Sequence, residues 1–108
     1  MPRVVVADIE NDVTPSFAHG SKSSISTTAV QMITTSTRAF KGVLVKASTS
    51  NTGTIYVGSS SGVTADGGDS SSGFPLAAGE SLLVPTDDAS DIWLIATAAG
   101  HKIFFAVA

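Results

Sequence analysis

The sequence predicts an all-β domain: a small antiparallel β-sandwich or barrel, jelly-roll-like, with six to eight short strands and no substantial helix. Three observations predict it. Short runs rich in Val, Ile, Leu and Phe recur along the chain, and clusters of Gly, Pro, Asn, Asp and Ser separate them. No stretch carries the 3.6-residue apolar period of an amphipathic helix. The stretch that organises the rest is residues 53–84, where Thr54-Ile55-Tyr56-Val57 stops at Gly58 and enters a loop of Ser, Gly and Asp. The chain returns through Gly73-Phe74-Pro75-Leu76, turns at Ala78-Gly79-Glu80 and resumes as a strand over Leu82-Leu83-Val84.

Taken in order, Val4-Val5-Val6 centres a first strand over residues 3–9, with a turn at Glu10-Asn11-Asp12 and a break at Pro15. Residues 16–24 are small and polar. Residues 1–23 therefore read as an N-terminal arm or first strand, and residues 24–108 as the sandwich domain. Residues 25–35 read as a strand, because Thr surrounds Ile25, Ala29, Met32 and Ile33 without an N-cap or first-turn acid. Residues 40–47 and 54–57 are expected to pair as a hairpin across the turn at 48–53. Pro85 stops the strand at 82–84, and residues 86–91 form a polar turn or a single helical turn. Residues 92–97 and 102–107 make a second expected hairpin around Ala98-Ala99-Gly100.

Two of these strands break the rule that one buried face gives strict alternation. Ile92-Trp93-Leu94-Ile95 and Ile103-Phe104-Phe105 are apolar on both faces. Either they are central strands buried on both sides, or their outer faces pack on another subunit, since monomers rarely expose large apolar patches.

At 108 residues the chain is one domain's length, and a single core is feasible. Only 14% of residues are charged, against about 25% in typical domains. Hydroxyl side chains fill the gap, with 16 Ser and 12 Thr. A mean hydropathy of +0.30 and a net charge of −3 separate the chain from disordered Ser/Thr-rich segments. The six basic residues, Arg3, Lys22, Arg38, Lys41, Lys46 and Lys102, are scattered singly, which argues against a nucleic-acid groove. Without Cys there is no disulfide framework and no thiolate metal site. The N-terminal apolar run is too short for a signal peptide, and no run approaches the roughly 18 residues of a membrane span. The reading is a soluble protein with no membrane partner, outside the general secretory route.

The side chains offer little chemistry. Gly58-Ser59-Ser60-Ser61-Gly62 matches a nucleophile elbow, but that motif works on a strand-to-helix turn, and here Pro, Gly and Asp follow. Ser60 reads as a loop serine. Asp66 and Asp69 flank two glycines without the closing Glu of a calcium loop, and Asp87, Asp88 and Asp91 sit where acids cap backbone N–H groups. His19 and His101 lack a partner at ligand spacing. Trp93 and Tyr56 lie among apolar residues, unlike an exposed sugar-stacking platform. No catalytic residue, metal site or cofactor is assigned, and the chain reads as not an enzyme.

One resemblance adds to this reading. Gly42-Val43-Leu44-Val45-Lys46-Ala47 is followed by Asn51-Thr52-Gly53-Thr54-Ile55-Tyr56-Val57-Gly58. Then come Gly73-Phe74-Pro75-Leu76-Ala77-Ala78-Gly79-Glu80-Ser81 and Ile92-Trp93-Leu94-Ile95-Ala96. In that order, over about two-thirds of the chain, these segments resemble small virion structural proteins of tailed bacteriophages, of the capsid decoration or cement type. The resemblance implies a β-sandwich without catalytic residues, serving as a decoration protein, a head fibre, or a head–tail or baseplate part. Residues 1–39 carry none of it. A cysteine-free, charge-poor sandwich with apolar outer faces suits a homotrimer bound to the major capsid protein on the virion surface, made in the host cytoplasm. The candidate contact residues are Val4, Val5, Val6, Phe17, Trp93 and Phe104, the first four on an arm that adds a strand to a neighbour's sheet or serves as the sandwich's own first strand. A carbohydrate-binding module is the alternative from another class.

Overall fold

In the strand Val43–Ala47, Val43, Val45 and Ala47 are buried while Leu44 and Lys46 face solvent. His101–Val107 repeats the pattern, with His101, Ile103, Phe105 and Val107 inside. This period-2 burial means that each strand covers a core on one side only. The structure, a computed structural model, describes residues 17–68 and 70–108. Val4, Val5 and Val6, and the strand expected over residues 3–9, lie outside the described residues.

The described strands are β1 (Ala18–Ile25), β2 (Val30–Gln31), β3 (Val43–Ala47), β4 (Ile55–Gly58), β5 (Phe74–Leu76), β6 (Ser81–Val84), β7 (Trp93–Ala96) and β8 (His101–Val107). They form two four-stranded antiparallel sheets. The first has the order β1-β8-β3-β6 and the second β2-β7-β4-β5. Every connection crosses between the sheets except β4 to β5, which is the order of an eight-stranded jelly roll. One core joins the layers: Ile25, Val43, Val45, Ile103, Phe105 and Val107 from the first sheet, and Ile55, Val57, Leu76, Leu94 and Ala96 from the second. Among the described residues the sole helical element is a 3-10 turn, Ala89–Asp91.

Neither expected hairpin forms. β3 pairs with β6 and β8, and β4 with β5 and β7, so residues 40–47 and 54–57 lie in opposite sheets. β7 and β8 are separated in the same way. Turn chemistry marks where the chain reverses, but it does not say on which sheet the next strand lands. The β3–β4 crossover bonds to the start of β8 and to the β7–β8 crossover instead of closing a hairpin. The Asn51 amide donates to Lys102 O at 3.0 Å and its carbonyl accepts Lys102 N–H at 3.0 Å. Thr54 N–H donates to Thr97 Oγ1 at 3.2 Å.

The polar stretch before residue 25 is also in the sandwich. β1 pairs along β8 from Ala18 opposite Val107 to Lys22 opposite Ile103. A bulge follows, with Ser24 in the left-handed region at φ 59°, and it turns Ile25 into the core. Gly20 makes the pairing possible, because a Cβ there would lie 2.6 Å from Cζ of Phe105. The strand read over residues 25–35 is accordingly split between the end of β1 and the two-residue β2.

Candidate interaction surface

Residues directly opposite on antiparallel strands share a face, so the register maps the outside of the first sheet. One row runs His19, Ala106, Leu44, Leu83 across β1, β8, β3 and β6. The next runs Ser21, Phe104, Lys46, Ser81. Leu44, Leu83 and Phe104 are 48%, 58% and 45% exposed. Phe17, also exposed, comes just before β1, its ring centroid 6.3 Å from that of His19. This is an apolar band on β8, β3 and β6; β1 adds only His19 and Ser21 to the face, with Phe17 just before it.

Its charge has one sign. The face carries Lys46 and Lys102, while Lys22, opposite the buried Ile103, lies on the inner side, and β1, β3, β6 and β8 contain not one Asp or Glu. The Lys102 ammonium sits 4.9 Å from the Phe104 ring centroid, within cation–π range. Near the start of β3, Arg38 lies 5.2 Å over the exposed Phe40 ring. The described acids, Asp66, Glu80, Asp87, Asp88 and Asp91, are all in the connections between β4 and β7.

The outside of the second sheet differs. Trp93 lies opposite Gly58, and Ile95 opposite Tyr56. Trp93 is half-buried and Ile95 only 9% exposed. The β4–β5 loop folds back here: a Cβ on Gly58 would lie 2.3 Å from Val63, and one on Gly67 would lie 3.4 Å from the Tyr56 hydroxyl. The structure thus puts Phe17 and Phe104 at the first sheet and Trp93 on the far side of the sandwich. Leu44 and Leu83 escaped the sequence reading, although the signal was there. Val43-Leu44-Val45-Lys46 places Leu beside Lys on the outer face, but the run reads as continuously apolar.

Of the residues weighed for chemistry, His101, Ser60, Asp88 and Asp91 have structural partners, and Asp69 lies outside the described residues. His101 is buried; its Nε2 accepts Gly53 N–H at 2.9 Å and its Nδ1 lies 3.2 Å from Ala99 O. Ser60 is an exposed loop residue whose hydroxyl accepts Gly62 N–H at 3.3 Å. It follows the end of β4 opposite to Gly53, so that strand separates Ser60 from His101. The Asp88 carboxylate accepts from the Ser36 hydroxyl, from Thr37 N–H at 2.9 Å, and from Ser90 N–H at 2.9 Å and its hydroxyl at 2.7 Å. These bonds, the one from Ser36 first, hold its pKa well below the usual carboxylate range. Asp91 accepts from the Thr86 hydroxyl at 2.9 Å. No cluster of three metal-ligating side chains occurs among the described residues.

A cleft of about 860 Å³ opens at the sandwich edge between β5 and β6, lined by Phe74, Leu82, Val84 and Pro85 with serines of the β4–β5 loop. Leu83 belongs to both the cleft wall and the apolar band.

Comparisons with protein-family models, with curated proteins and with solved structures find no match to this chain.

Proposed function

We propose that this chain is a structural protein of a tailed-bacteriophage virion, a capsid decoration protein that binds the assembled head and stabilises it. The observation that carries the reading is the outer face of the first sheet. A domain of 108 residues leaves Leu44, Leu83 and Phe104 exposed on the outer face of one sheet, in adjacent rows, with lysines and no acid in its strands. Scattered exposed apolar residues are ordinary, but a contiguous band with polar rims marks a contact surface. Interfaces are depleted of charge at their centre and tolerate it at the rim, which fits Lys46 and Lys102 flanking Phe104.

The jelly-roll order and the resemblance of residues 40–108 to small virion proteins support the same reading. A decoration protein needs a rigid body, an apolar surface for its neighbours and no catalytic apparatus. Head stabilisation then follows from mass action: a protein that binds the closed shell and not the free subunits favours the shell, by about 2.7 kcal/mol per site at a hundred times the dissociation constant.

The test is co-sedimentation of the purified protein with emptied heads of the phage that encodes it, beside unassembled capsid protein and isolated tails. Saturable binding to heads, with a higher temperature for head disruption, is the expected result. Binding to tails alone would move the chain to a head–tail or baseplate role. Binding to neither would sink the virion reading.

A further inference from the structure

We infer that the open edge of β6 is an interface at which a second copy of this chain pairs its own β6 antiparallel, joining two first sheets into one of eight strands. Among the described residues β6 pairs with β3 alone, so its other edge is open. An open edge is a template for another strand, and proteins usually blunt it with charge, proline, a bulge or very short length. The other three edge strands carry such devices. β1 has Lys22 and a bulge, β2 is two residues long, and β5 has Pro75 at its centre. β6 runs Ser81-Leu82-Leu83-Val84 with no charge, proline or bulge among these four residues.

The ladder shows which backbone groups face outward. Ala47 N–H donates to Glu80 O at 2.9 Å, and Lys46 lies opposite Ser81. Bonded and non-bonded pairs alternate along antiparallel strands, so Leu82 and Val84 turn their backbone groups to β3. Ser81 and Leu83 turn theirs to the open edge. The cleft of about 860 Å³ borders this edge, with Leu82, Leu83 and Val84 in its wall, and leaves room there for a strand.

Self-complementarity identifies the occupant. Directly opposite residues share a face, so a two-fold axis can pair Leu83 with Leu83 or Leu82 with Leu82. The first register sets Leu82 of each copy against Val84 of the other on the inner side. On the outer side it extends the Leu44–Leu83 row into the same row of the second copy. The Leu83 pair exchanges two N–H···O bonds at the axis, and Ser81 meets Pro85, whose missing N–H ends the ladder. The second register would set Val84 against Glu80. The first therefore matches apolar to apolar on both sides of the sheet. Charge agrees with it. The two copies of Lys46 would lie at least three strand steps apart, about 14 Å, whereas stacking two first sheets face on face would press their lysines together. The edge contact is isologous and closes on two copies, not the three that the sequence suggested. It concerns copies of this chain alone, so it stands or falls independently of head binding.

The absence of cysteine makes cross-linking a clean test. A bonded antiparallel pair holds its Cα atoms about 5.5 Å apart, within the range that a disulfide bridges. On oxidation, full-length Leu83→Cys should run at twice 10.9 kDa on a non-reducing gel. Leu44→Cys lies on the same outer row but about 14 Å from its counterpart, and should run as a monomer. By light scattering the parent chain should show a mass that rises towards the dimer with concentration. Leu83→Lys changes an exposed position and should stay at 10.9 kDa with its circular dichroism unchanged. Cross-linking of Leu44→Cys to the same extent as Leu83→Cys, or more, would place the contact on the sheet face and overturn the inference. A Leu83→Cys chain that forms no disulfide, or a Leu83→Lys chain that still associates, would overturn it equally.

Discussion

His101 accepts the backbone N–H of Gly53 at 2.9 Å, and this bond joins the crossover that leaves the first sheet at β3 to the strand that re-enters it at β8. The imidazole is fully inside, with its other nitrogen against Ala99 O. It does what a hairpin turn does elsewhere, supplying partners to backbone groups that leave a sheet at the same end.

Replacing His101 by Leu keeps the volume roughly constant but strands the Gly53 N–H. Burying an unsatisfied donor costs about 1–3 kcal/mol. Chemical denaturation should therefore show a lower midpoint with an unchanged slope. An unchanged midpoint would mean that water replaces the ring.

Gly20 and Phe105 form a second tight pair across β1 and β8. Gly20→Ala places a methyl group 2.6 Å from the ring. Overpacking of this kind costs about 1–3 kcal/mol. Combining it with Phe105→Leu should recover part of the loss, and a double-mutant cycle measures the coupling. Strictly additive effects would contradict the contact.

The two faces of the first sheet should respond in opposite ways. Ile103→Ala removes a fully buried side chain and is expected to cost about 2–5 kcal/mol. Leu44→Ser and Leu83→Ser change exposed positions and should stay within about 0.5 kcal/mol. The same two serines should reduce binding of an environment-sensitive hydrophobic dye and reduce self-association. Thermal melts and solution mass together check the contrast.

Asp88 gives the fold an acid-sensitive clasp between residues 36–38 and the 3-10 turn. Its folded pKa is lowered, so its contribution to stability is complete above the ordinary Asp value of about 3.9 and declines as pH falls below it. Asp88→Asn should flatten that part of the acid unfolding profile while leaving the neutral and alkaline limbs parallel to the parent. A parallel acid limb would show that the clasp carries no linkage.

Much of the fold was legible one strand at a time. Val43-Leu44-Val45, Ile55-Tyr56-Val57 and Ile103-Phe104-Phe105 announce strands through β-branched and aromatic content, and Pro85, Gly58 and Gly100 announce their ends. β1 was hidden, because Ala18 to Ser24 has neither apolar alternation nor β propensity. Pairing with Phe104-Phe105-Ala106 makes it a strand, a tertiary effect that overrides local preference. The candidate surface was half visible. Phe104 and Phe17 stood out as apolar residues, but Leu44 and Leu83 became contact candidates only when the register set them side by side.

By itself the sequence determined an all-β chain, its approximate strand positions and the low charge of its surface, since these follow from local propensity, turn residues and composition. Which strands pair was decided by tertiary structure alone. A short loop can close a hairpin or cross the sandwich at similar local cost, and only the burial of every inward face in one core selects the jelly-roll order. The same selection separates Trp93 from Phe104 and gathers Leu44, Leu83 and Phe104, because the side of a strand left outside depends on which sheet it joins.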